Sequence, residues 1–151
     1  MSRVVGIDLG ARRIGVAVSD ALGLTAQPRA TLARRGGVRD LEAIAAVVVA
    51  EQASAVVLGL PLDPEGGEGR AARSARAFAE RLRAFLTVPV EMIDESFSTV
   101  EAEAVLLEAD LSRARRRQVV DRVAAAVILQ RWLDARPSPS ATAPAAGEPA
   151  R

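Results

Sequence analysis

The sequence predicts an α/β domain whose sheet opens antiparallel and continues parallel. Half of the 151 residues are hydrophobic, yet only Phe78, Phe85, Phe97 and Trp132 are aromatic. The core must therefore be built from Val, Leu, Ile and Ala, which suits helices packed on a sheet. Near the start, two apolar runs stand so close together that only a hairpin can join them. From residue 38 onward, helical and strand patterns alternate.

Residues 3–9 and 14–19 read as strands joined by the glycine-containing GARR, and residues 26–31 as a third. VRDLEAIAAVVVAEQ sets Leu41, Ile44, Ala45 and Val48 at helical spacing, and SAVVLGLP follows as a short strand ended by Pro61. After the loop LDPEGGEG, a second helix aligns Ala75, Phe78, Ala79, Leu82 and Phe85 on one face. The strand VPVEMID then completes a strand–helix–strand alternation, which predicts parallel pairing. STVEAEAVLLEAD carries a capping box, with Ser98 as N-cap, Glu101 three residues on, and Val100, Ala104 and Leu107 as the buried stripe. A fourth helix runs from Arg113 to Asp134, with Val120, Val123, Ala124, Val127, Ile128 and Leu133 facing the core. From Pro137 the composition changes to PSPSATAPAAGEPAR, which has too little apolar bulk to order itself. The expected division is a folded domain over 1–136 and a disordered tail over 137–151.

Composition narrows the chemistry. Cysteine and histidine are absent, which removes disulfides, thiolate or imidazole metal sites and every His- or Cys-based catalytic arrangement. No apolar run approaches the roughly 18 residues of a membrane span and no secretory leader is visible, so a cytoplasmic protein is expected. Net charge is only +1, but all twenty basic residues are arginine, and SRARRRQVVDR gathers several beside an acid. Arginine grips phosphate with two parallel donors; a solvated helix face would produce the same cluster.

Carboxylates are what remains. Asp8 interrupts an apolar strand, where a charge is costly unless paired or bound to metal. Glu95 follows VPVEMI and Asp94 at the strand end where open α/β folds place their sites. Asp121 shares a helical stripe with Ala125, Ile128 and Trp132, which points it toward the sheet. If the last helix crosses the first strand, Asp8 and Asp121 can meet, and three oxygen donors suit Mg²⁺ or Mn²⁺ rather than zinc. Each residue also has a plainer explanation. Asp8 could prepare a turn, Glu95 could be a solvent-facing loop acid, and Asp121 could pair with Arg117 or Arg122 on its own helix.

GIDLGARRIGVAVSD, VVLGLPLDPEGGEG, DESFSTVEAEAVL and VDRVAAAVILQRWLD, in that order and spacing, together resemble the bacterial YqgF (RuvX) family over residues 3–134. The resemblance implies an RNase H-like fold with a five-stranded mixed sheet, three strands antiparallel and the rest parallel. It also implies a metal-dependent nuclease, in a class that includes RuvC-like Holliday junction resolvases and members associated with maturing the 5′ end of 16S rRNA. Carried over by motif, the family's acidic positions fall on Asp8, Glu95 and Asp121. The chain departs from the family at Ser96, where arginine is common, and at Asp63, where asparagine is common. Asp63 is either a further ligand or a turn acid before Pro64.

Phosphodiester cleavage on this reading uses two metal ions, with Asp8 bridging and Glu95 and Asp121 completing the two shells. Arg12 and Arg13 beside the site are candidate phosphate contacts, as are Gly66 and Gly67 before a helix N-terminus and Arg115, Arg116 and Arg117 ahead of Asp121. The implied partner is nucleic acid, precursor rRNA on the small ribosomal subunit or branched DNA. The scarcity of aromatics argues against stacked readout of unpaired bases. A sugar kinase would also begin GIDLG but needs two such lobes. A non-catalytic RNA-binding assembly factor would keep the fold without metal-dependent cleavage.

Overall fold

The computed structural model describes residues 2–62, 67–95 and 113–136, the last segment without the side chains of 113–118. Five strands form one sheet: β1 (Arg3–Leu9), β2 (Arg13–Ser19), β3 (Ala26–Ala33), β4 (Ala53–Pro61) and β5 (Val90–Glu95). Three helices accompany them among the described residues: α1 (Val38–Glu51), α2 (Arg70–Phe85) and α3 (Arg113–Ala135). The strand order is β3-β2-β1-β4-β5. β1 pairs antiparallel with β2 and β2 with β3, while β4 pairs parallel with β1 and β5. The antiparallel opening and the parallel continuation both follow from connection length: a three-residue link can only reverse the chain, whereas a helix can return it. The helix expected over 98–110, the tail from Pro137, Gly66, Asp63 and Ser96 all lie outside the described residues.

Strand alternation sorts side chains onto two faces. Val5, Ile7, Ile14, Val16, Val56, Leu58 and Leu60 meet Leu41, Ile44 and Val48 of α1 and Ala75, Phe78, Ala79 and Leu82 of α2. On the opposite face Val4, Ala17, Ala55 and Val57 meet Ala125, Ile128, Leu129, Trp132 and Leu133 of α3. The expected stripes of α1 and α2 hold, except that Ala45 is only partly buried and Phe85, at the helix end, is exposed. On α3 the stripe is displaced. Val120, Val123 and Val127 are only half-buried, and Ala125, Leu129 and Trp132 join Ala124, Ile128 and Leu133 in the core.

The displacement has a cause in the sheet. A Cβ added at Gly15 would stand 1.8 Å from the Asp121 carbonyl oxygen, one at Gly6 would stand 2.7 Å from Leu129 Cβ, and one at Gly59 2.6 Å from Ile128 Cδ1. These strand glycines form a bare track that lets the helix backbone sit on the sheet. Ala124, Ala125, Ile128, Leu129 and Trp132, not the valines, therefore turn inward. Gly15 meets Asp121 while Gly6 meets Ala125 and Leu129, so α3 runs from the C-terminal end of β1 toward its N-terminal end. No described helix is long and apolar enough to cross a membrane.

Candidate functional site

Asp8 lies in β1 opposite Gly15 of β2. Its other neighbour in the row is Gly59, one residue beyond the paired Ile7 and Leu58. Val5 and Ile7 point to the α1/α2 core, so Gly6 and Asp8 face α3. Glycine on both sides leaves the Asp8 carboxylate with no flanking side chain on that face. The same bare row brings the Asp121 backbone down beside it, so the two acids meet as the helix-crossing expectation required.

Glu95 ends β5, paired with Pro61 of β4. It shares a face with Ile93, which packs in the α3 core, and with Glu91, which accepts from Trp132 Nε1 at 3.4 Å. Its side chain is 2% exposed, so it is a buried strand-end acid and not a solvent-facing loop residue. The three carboxylates feel one another. Burial, then the charge of Asp121, then that of Glu95 push the Asp8 carboxyl up to about 6 from its ordinary 3.8.

Two guanidinium groups answer these charges, and sequence reasoning did not foresee the pairs. Arg13 Nε donates to Asp121 Oδ2 at 2.5 Å, and an Arg131 terminal nitrogen donates to Glu95 Oε1 at 2.6 Å. Asp121 is thus engaged from β2 across the sheet rather than by Arg122 of its own helix. Glu95 Oε2 is buried with no hydrogen-bond partner among the described residues. Also among the described residues, no three acidic side chains stand tightly enough to hold one ion as they are. A signal for Arg131 did exist: it lies one residue before Trp132, at the edge of the stripe that carries Asp121.

The remaining candidates divide. Arg12 is exposed at the β1–β2 connection, and its side chain has no partner among the described residues. Gly67 is exposed, and a Cβ there would meet nothing within 4 Å, so nothing steric demands glycine. Gly66 is outside the described residues; Arg115, Arg116 and Arg117 lie in α3, but their side chains are outside them. By contrast, the buried Asp40 belongs to the scaffold. Burial opposes its charge, but the Arg35 and Gly36 amides and the Arg34 guanidinium outweigh that and hold its carboxyl below the usual range.

Comparison with known proteins places the chain. The RuvX family model, described as Holliday junction resolvase, matches residues 2–135. A Myxococcus xanthus protein named "Putative pre-16S rRNA nuclease" is 54% identical over 137 residues, 91% of each chain. Thermus thermophilus RuvC, solved with a Holliday junction substrate, superposes with a TM-score of 0.53 at 17% identity, covering 89% of this chain and 95% of that one. Fowlpox virus resolvase, solved with Holliday junction DNA, gives the same TM-score of 0.53 at 9% identity, covering 87% and 97%. At these identities the two structures speak for the fold alone, which is the RNase H-like one expected.

Proposed function

Since the chain belongs to the RuvX family, we propose that it is a divalent-metal-dependent nuclease that hydrolyses phosphodiester bonds in the precursor of 16S rRNA, acting in the cytoplasm on the small ribosomal subunit. The observation that carries the reading is the convergence of Asp8, Asp121 and Glu95 on one sheet face, close enough that the latter two raise the carboxyl of the first. The donor set fits Mg²⁺ or Mn²⁺: all oxygen, with no histidine or cysteine in the chain, and with one buried Glu95 oxygen lacking a partner among the described residues. Asp8, Asp121 and Glu95 would hold the ions, and no side-chain nucleophile is required.

When bound, such ions lower the pKa of a water and offset charge on the leaving oxygen. The chain's own part is to bind and orient. Asp8 sits between Gly15 and Gly59, over which the Asp121 backbone and Ile128 pack, so that its carboxylate is held beside that of Asp121. Arg12 presents an exposed guanidinium at the rim, Gly66 and Gly67 precede the α2 N-terminus, and Arg115, Arg116 and Arg117 lie four to six residues ahead of Asp121; all are assigned to backbone phosphates. The family description favours a second reading, resolution of four-way DNA junctions. One assay separates them: labelled precursor rRNA, single strands and a four-way junction, each with Mn²⁺ and with EDTA. Cleavage of the rRNA in Mn²⁺, absent in EDTA and in Asp8→Asn, is expected. Preference for the junction selects the second reading, and binding without cleavage of any substrate refutes both.

A further inference from the structure

We propose that Arg13 and Arg131 are exchangeable counter-ions, which hold Asp121 and Glu95 while the site lacks metal and surrender them to the divalent ions when these bind. The proposal rests on the metal reading above and adds what this chain's arginines do toward it.

In both pairs the acid is the buried partner and the base the exposed one. Asp121 and Glu95 side chains are 15% and 2% exposed, whereas those of Arg13 and Arg131 are 39% and 42% exposed. Each guanidinium reaches its acid from the more exposed side of the pair. The Arg34–Asp40 pair shows what a permanent ion pair looks like in the same molecule. There the arginine also donates to the Gly10 carbonyl and lies over the Phe78 ring, and the acid takes two backbone amides. Asp121 and Glu95 receive no backbone amide among the described residues, and half of the Glu95 carboxylate is unanswered.

Energetics give the exchange its direction. A buried carboxylate stripped of its partner is costly, so the metal-free site needs counter-charge, and the two arginines supply it. A partly exposed ion pair contributes little beyond that, while a divalent ion brings the larger local charge. Once displaced, each guanidinium stands beside the site with its donors open to a phosphate. Metal uptake and substrate binding would then favour each other, by the same factor in both directions.

Calorimetric titration of Mn²⁺ into metal-free parent, Asp8→Asn, Arg13→Gln and Arg131→Gln, without nucleic acid, tests this. Removing a competing cation should tighten Mn²⁺ binding by about three- to tenfold in each arginine variant. The metal-free variants should also melt below the parent and regain the difference in Mn²⁺. If the arginines instead pre-arrange the acids for metal, the variants will bind Mn²⁺ more weakly; equal or weaker binding overturns the proposal and leaves the metal reading intact. A parent that takes up no Mn²⁺, or an Asp8→Asn variant that binds as well as the parent, overturns the metal reading and this proposal with it. Should a glutamine variant fail to fold, the parent itself decides. Its Arg13 Nε–H resonance, held by Asp121 in the metal-free protein, should shift and exchange faster with water as Mg²⁺ is added, and no change at saturating Mg²⁺ refutes the exchange.

Discussion

Asp8 is charged at neutral pH against the preference of its surroundings. Its carboxyl is pushed up to about 6 by burial and by Asp121 and Glu95, so between the ordinary 3.8 and 6 the folded protein binds more protons than the unfolded chain. Without metal, the Asp8 contribution to stability is therefore greatest at the acid end of that window and falls as pH rises through it and past 6, by up to about 3 kcal/mol. Asp8→Asn removes the penalty. In EDTA it should melt above the parent at pH 7–8, with the gap closing toward pH 4; thermal melts across that range check it. Asp8 and Asp121 were legible in the sequence because a charge inside an apolar pattern has few explanations. The ion pairs of Arg13 and Arg131 were not: the hairpin put Arg13 beside the site only as a phosphate contact, an arginine on a helix edge looks solvated, and nothing local announces a partner 108 or 36 residues away.

The elements were legible where their patterns are strong. The hairpin, both helix-linked strands and the helices α1 and α2 follow from spacing, and the five-stranded mixed sheet is what the resemblance implied. The rotation of α3 was legible only in part: the stripe of Ala125, Ile128 and Trp132 that carries Asp121 does face the sheet, but the valines read as core do not, because Ile128, Leu129 and the backbone at Asp121 and Ala125 occupy the glycine track. The track also makes a prediction about the element it carries. Gly15→Ala forces a methyl into the Asp121 carbonyl and should cost about 1–3 kcal/mol or more while lifting Asp121 away from Asp8. Urea melts should show the loss, and Mn²⁺ affinity should fall with it. Gly67→Ala, whose methyl meets nothing, should melt within about 0.5 kcal/mol of the parent.

Across the whole molecule, the family match ends at residue 135 and the composition changes at Pro137. Truncation after Arg136 should leave turnover on short substrates unchanged; a large loss with folding intact would give the tail a role. Binding by Arg115, Arg116 and Arg117 to backbone phosphates predicts that Arg115→Ala and Arg116→Ala weaken every sequence alike. Each should also flatten the salt dependence by about 0.7 in log–log slope on a single strand, read from affinity titrations at several ionic strengths. A parent-like slope would return the cluster to solvent.

The position of α3 has one more consequence. Asp8 leaves the ribosome more than a hundred residues before Asp121, and the two acids come together only when α3 settles on the glycine track. On the proposed reading, an unfinished chain that lacks α3 holds Asp8 and Glu95 without Asp121, two acids of the three, so cleavage would wait until distant stretches of the message have both been translated.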